Sequence, residues 1–214
     1  MSVNYHAFQN KGVPFIECEA LCEQWHQEFA GYDPKRIANI LHLVYDEKYI
    51  YLLYFQTKYR MCLKNGQLEK ETEKGWTDEL YFNESMVIYH VLKYTVDMPR
   101  RSGVWVPNEK LDRVVSRNTR LADPLLTPFA KVWTGRCREL AQACEKIGGR
   151  KLDKGDVAYQ FAAFPFMEIQ LVFWDADEDF PAQVQVMFDE YATDYIHFET
   201  SGCIVADLLE KIGS

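Results

Sequence analysis

Three apolar runs near the C-terminal end, Val157 to Ala162, Met167 to Trp174 and Gln183 to Phe188, constrain the fold of this chain more than any other feature. They are strand-like in length and rich in β-branched and aromatic residues, and the last alternates Val184, Val186 and Phe188 with polar neighbours, the period of a half-buried strand. A second strand-rich group precedes them between Leu43 and about Lys70. There YIYLLYF and KYRMCL are separated by short polar turns and Asn65-Gly66 signals a hairpin, giving three or four antiparallel strands. Strands and helices are therefore grouped rather than alternating, which argues for an α+β fold with largely antiparallel sheet packed against helices.

The helical segments fill the spaces between these groups. Leu21, Cys22, Trp25 and Phe29 continue an apolar stripe from Cys18 at helical spacing. Asp33-Pro34 supplies a cap followed by proline at the first helical position, opening a short helix through Ile37, Ile40 and Leu41. The polar run EKETEKGWT, from Glu69 to Thr77, reads as an exposed loop, and Asn83 as the cap of a helix from about Glu84 to Val96. SGVWVP reads as extended and NEKLDRVV as a helical turn or two. Asp123-Pro124 repeats the cap-plus-proline start, and Leu125, Phe129, Val132, Trp133, Leu140, Ala141, Cys144 and Ile147 predict one long helix closed by Gly148-Gly149. A terminal helix over Gly202 to Ile212 completes one continuous domain, 1–214, with helices and hairpins in 1–83.

Composition narrows the function classes. A net charge of -8 disfavours nucleic acid and acidic membranes as partners. The first residues lack the pattern of a secretory signal, and no apolar run approaches the roughly 20 residues of a membrane span. Six scattered cysteines without a CxxC do not read as a disulfide framework. A cytoplasmic protein with reduced thiols is the expectation. Cys18 and Cys22, with His26, have the spacing of a metal-binding helix, but core packing explains the stripe better, as it does Cys137 and Cys144.

Chemistry, if any, is concentrated between Phe173 and Thr200. Asp175, Asp177 and Asp179 have carboxylates spaced to hold a divalent metal, and Trp174, Asp177, Glu178, Phe180 and Asp189 could form a ligand-binding surface beside them. A calcium loop of the EF-hand type is excluded, because its sixth and twelfth places hold Phe180 and Val186. A solvated acidic turn with Phe180-Pro181 folded back as a plug is the structural alternative. His197 and Glu199 stand two apart, so on a strand they would share a face as an acid/base pair, the candidate catalytic residues. Neither GxSxG nor HExxH accompanies them. Arg100-Arg101 suggests an anion site or a surface pair, and the aromatic runs suggest core or a pocket for a flat ligand.

The order of several of these signals resembles one family. SMVIYHVLKYTVD, SGVWVP, IGGRKLDKGD, FPFMEIQLVFWDADEDFPAQVQVMFDE and DYIHFET follow one another from residue 85 to residue 200. The run Phe173, Trp174, Asp177, Glu178, Phe180, Pro181, Ala182, then Phe188-Asp189, is the most distinctive. This series is similar to the bacterial and archaeal family known as domain of unknown function 3786, with a family-like core over 84–214 and a family-like hairpin region before it. The resemblance implies a fold and no established reaction. Relatives joined to cysteine-rich iron-sulfur segments hint at anaerobic redox or corrinoid-associated metabolism, and no such segment occurs within these 214 residues.

The leading reading is a domain that binds a small molecule or a protein partner and performs no chemistry. Its rival is a metal-dependent, hydrolase-like enzyme in which the carboxylates and His197 surround a divalent ion that activates water. An assembly protein using exposed aromatics is the third.

Overall fold

The computed structural model describes residues 23–25, 27–29, 31–111 and 123–214. Residues 23–25 and 27–29 are helical, and Trp25 and Phe29 are buried as their spacing requires. Cys18, Cys22 and His26 lie outside the described residues, as does most of the turn expected after Lys110. Asp33 begins the next helix, α1 (Pro34–Ile40): its Oδ1 accepts from the Arg36 amide at 3.0 Å, and Pro34 needs no donor at the first position.

The hairpin region forms a four-stranded antiparallel sheet in the order β1 (Tyr49–Tyr54), β2 (Thr57–Cys62), β3 (Leu68–Thr72), β4 (Gly75–Thr77). The segment expected as a loop, Glu69 to Thr77, is instead almost entirely strand. Glu69 and Glu71 lie on the outer face, where Glu69 accepts from Arg60 at 2.6 Å and Glu71 pairs with Lys58 at 3.2 Å, while Lys70 points the other way, toward Glu84. The Arg60 guanidinium stands 4.3 Å from the rings of both Tyr49 and Trp76. Cross-strand pairs of this kind stabilise a sheet face without burying it.

The β1–β2 hairpin turns on Phe55 and Gln56, with φ of 42° and 65°. A two-residue turn between right-twisted strands needs both residues in the left-handed region, where asparagine and glycine are usual. Here tertiary contacts hold it. The Phe55 ring lies 4.8 Å from that of Tyr54, the Phe55 amide donates to Ala163 O at 2.9 Å, and Gln56 Nε2 donates to Ile147 O at 3.1 Å.

Helix α2 (Phe82–Tyr94) begins earlier than expected, with Tyr81 as its cap residue, so Asn83 lies inside the first turn. After α2, β5 (Trp105–Pro107) is a short edge strand of the second sheet. The predicted long helix is two, α3 (Leu126–Trp133) and α4 (Cys137–Lys146). They break at Gly135, whose φ of 71° ends the helical path while Thr134 Oγ1 donates back to Ala130 O. The apolar periodicity runs on across this break because both helices bury the same side, with Phe129, Trp133, Leu140 and Cys144 inside.

The five-stranded antiparallel sheet has the order β5, β9 (Gln183–Asp189), β8 (Met167–Trp174), β7 (Val157–Phe164), β6 (Arg150–Lys151). The three strands read from the sequence are its centre. Two antiparallel sheets with helices make the architecture α+β, and no helix among the described residues is long and apolar enough to cross a membrane.

The terminal helix, α5 (Phe198–Gly213), packs along α2 and also touches α4. It buries Ile204, Val205, Leu208, Leu209 and Ile212, each contributing roughly 1.5–3 kcal/mol by transfer from water. That apolar row carries one carboxyl group inside with it, Asp207.

Candidate functional site

Asp207 is 7% exposed and is held by neutral donors from two other elements. The Tyr54 hydroxyl at the end of β1 donates to its Oδ2 at 2.6 Å, and Asn83 Nδ2 in the first turn of α2 donates to its Oδ1 at 3.0 Å. Burial pushes the Asp207 carboxyl up to about 6, against the opposing effect of those two hydrogen bonds. The same burial, together with the neighbouring carboxylate, raises the Tyr54 hydroxyl well above its ordinary value. Asn83 is 1% exposed, and among the described residues its Oδ1 has no hydrogen-bond partner.

Glu84 organises the adjoining wall. It accepts from Tyr59 Oη at 2.9 Å, from Lys70 Nζ at 3.1 and 3.0 Å on its two oxygens, and from the Tyr81 amide at 3.2 Å. Burial, reinforced by Glu84, holds the Tyr59 hydroxyl protonated far above its ordinary range. These contacts tie the start of α2 to β2 and β3 and leave a cavity of about 180 Å³ against α5. Tyr54, Tyr81, Glu84, Asp207, Glu210 and Lys211 line it. Lys211, on the cavity wall, also has its Nζ 6.0 Å from the centroid of the Phe55 ring. A perturbed carboxyl beside a concavity is a feature that functional sites share.

The acidic segment anticipated from sequence is arranged differently. Asp175 Oδ1 accepts from the Gly135 amide at 2.8 Å, and its Oδ2 lies 3.4 Å from Cys137 Sγ, so it fastens the α3–α4 break to the end of β8. Asp177 Oδ1 accepts from the amides of Asp179 and Phe180 at 2.9 and 2.7 Å, closing its own turn. Glu178 and Asp179 are exposed. Trp174 ends β8 partly exposed, and Phe180, expected to fold back as a plug, is 63% exposed. Asp189 lies at the other end of β9, six residues or about 20 Å from the acidic turn at strand rise. There it accepts from the amides of Ser102, Gly103 and Tyr191 at 3.0, 2.7 and 2.9 Å. The structure therefore does not gather these carboxylates, and no group of three or more His, Cys, Asp or Glu among the described residues is placed to hold a metal ion.

His197 and Glu199 are on no strand. His197 stands at the N-terminal boundary of α5 without a side-chain capping bond and Glu199 is in the first turn, with Nδ1 and Oε2 3.5 Å apart. The rings of Tyr94 and Phe198 lie 5.2 and 4.5 Å from His197, and that of His90 lies 6.5 Å away. His90 is the buried member, with Nδ1 2.6 Å from Thr200 Oγ1. Burial, then the nearby His197 and Lys93, lowers His90 to about 4, so its imidazole is neutral at physiological pH. Arg100 forms a two-pronged pair with Asp194, at 2.8 and 3.0 Å, and Arg101 pairs with Glu168. Each arginine is thus committed to a carboxylate within the fold.

Residues 33–208 match the family described as Domain of unknown function (DUF3786). The chain belongs to this family. No curated protein and no solved structure matches it. Within the family span fall Tyr54, Asn83, Glu84 and Asp207, together with both sheets; Glu210 and Lys211 lie just beyond it. Sequence reasoning missed the Asp207 constellation, although one signal was available. Asp207 stands three and four residues after Ile204 and Cys203 in CIVADLL, which puts a carboxylate on the buried face of an amphipathic helix.

Proposed function

We propose that this family member is a small-ligand-binding domain whose site is the cavity between β1, the start of α2 and the second half of α5. The observation that supports the reading is the Asp207 carboxyl, buried and fixed by Tyr54 and Asn83, at a concavity with further polar groups around it. Pockets for small molecules combine apolar walls with a few placed polar groups, and Tyr54, Tyr81 and the lysine stem provide the former. A carboxyl whose charged form is destabilised by burial is retained at a cost, and recognition is a function that offsets it. The net charge of -8 agrees with a partner that is not a polyanion.

The test is a charge-balanced set of small fragments screened by ligand-observed NMR against the wild type and against Glu210→Trp, which puts a bulky ring on the cavity wall. The reading expects fragments that bind the wild type and are lost in the variant. Fragments that bind both equally, or none that bind either, would contradict it.

A further inference from the structure

Resting on that cavity reading, we propose that its ligand is a small organic cation, an amine or guanidine compound, held with its positive head on the Asp207 carboxylate. Among the described residues, the side chains that line the cavity include three carboxyl groups, Asp207, Glu84 and Glu210, and one cation, Lys211. Glu84 is already matched by Lys70, whose Nζ hydrogen-bonds both of its oxygens. The two side-chain donors on Asp207, by contrast, are a hydroxyl and an amide, which satisfy lone pairs but bring no charge. A buried carboxylate is most stabilised by an ionised donor in direct contact. The amide that touches Asp207 also carries an acceptor, Asn83 Oδ1, buried and without a partner among the described residues. That acceptor lies behind Asp207 rather than on the cavity wall, so the surroundings of the carboxylate hold a surplus of acceptors, and an anion on Asp207 would meet like charge.

Aromatic surface completes the match. Tyr81 is on the cavity wall and 56% exposed, and its ring already has Lys70 Nζ 5.2 Å from its centroid. An ammonium or guanidinium can stack on such a face while it pairs with a carboxylate. Lys211, one turn along α5 from Asp207, acts on that carboxyl through space. It is the resident competitor of an incoming cation, so removing its charge should help a cationic ligand and harm an anionic one.

The groups that face Asp207 are Tyr54 from β1, Tyr59 from β2, Asn83 and Glu84 from α2, and Cys203 and Lys211 from its own helix. Tyr54, Tyr59 and Cys203 are held protonated by burial, so they do not ionise in the neutral range. With the Asp207 carboxyl at about 6, lowering the pH from 7 to 5 should reduce cation affinity about tenfold.

Isothermal titration of the full chain with butylammonium, 1,4-diaminobutane and guanidinium, beside butanoate, succinate and butanamide, tests the proposal. The cations are expected to bind, at least tenfold more weakly in Asp207→Asn and at least threefold more tightly in Lys211→Gln, each variant first shown to melt cooperatively. Lys211→Gln changes a partly exposed side chain, so the test survives even if Asp207→Asn does not fold. Butanoate, succinate or butanamide binding as well as the cations, or cation affinity that Lys211→Gln weakens, would overturn the ligand class and leave the cavity reading standing. Failure of all six probes to bind would overturn the class, and failure of the wider fragment set would overturn the cavity reading with it.

Discussion

The buried Asp207 carboxyl makes a quantitative prediction about stability. Its value rises from an ordinary 3.8 to about 6 on folding. Between those values the folded chain binds more protons than the unfolded chain, so this group's contribution is greatest below pH 3.8 and is lost as pH rises through 6. A shift of this size corresponds to about 3 kcal/mol in full, of which about 2 kcal/mol falls between pH 4.5 and 7.5. Asp207→Asn removes the titration and leaves the other carboxylates in place. Asp175 and Asp194, which hydrogen bonds lower in the folded chain, contribute the opposite slope to both proteins and cancel in the difference. Urea unfolding of both proteins at half-unit pH steps should therefore show the variant gaining about 2 kcal/mol on the wild type between pH 4.5 and 7.5. A difference that stays flat to within about 0.5 kcal/mol would mean that the carboxyl titrates in its ordinary range, and the desolvated environment assigned to it would be refuted.

Other outcomes follow from the same geometry. His90, lowered to about 4 by burial, should give the ¹⁵N signature of a neutral imidazole at pH 5.5, and a protonated ring there would contradict its burial against Thr200. The stability this histidine contributes is present above pH 6.5 and declines as pH falls toward 4. Asp175→Ala, which strips the Gly135 amide of its acceptor, should lower unfolding stability by about 1–2 kcal/mol, whereas Glu178→Ala in the exposed turn should stay within about 0.5 kcal/mol. Denaturant midpoints separate the two, and equal effects would argue against a fastening role for Asp175. Gly149→Ala would place a Cβ 2.7 Å from both Cys144 O and Phe161 Cε1. Backbone on one side and a buried ring on the other leave little room, so a loss of about 2–4 kcal/mol is expected in calorimetry; an unchanged melting temperature would contradict that contact.

The sheets could be read from the sequence where one face of each strand is buried. Val184, Val186 and Phe188 alternate in β9 as the pleat requires, and YIYLLY in β1 buries Ile50, Leu52 and Tyr54. β3 and β4 escaped because their outer face is held by Arg60–Glu69 and Lys58–Glu71 pairs, and charge on a strand looks like loop when its partner is unknown. The α3–α4 break escaped for the opposite reason, since a helix pair facing one core keeps its apolar period across a glycine. Acidic density in 173–200 drew attention to residues that cap turns, because aspartate suits such backbone geometry as well as it suits metals. The Asp207 site was hidden by distance along the chain: Asn83 and Tyr54 lie 124 and 153 residues away, and only packing of α5 on α2 and β1 unites them.

Backbone amide shifts of ¹⁵N-labelled protein, recorded while butylammonium is titrated at pH 7.5, address the central claim most directly. The account predicts that saturable changes centre on residues 81–84 and 207–211, with the Asn83 side-chain amide among them. Changes centred on the turn at 175–180, or none at all, would contradict it.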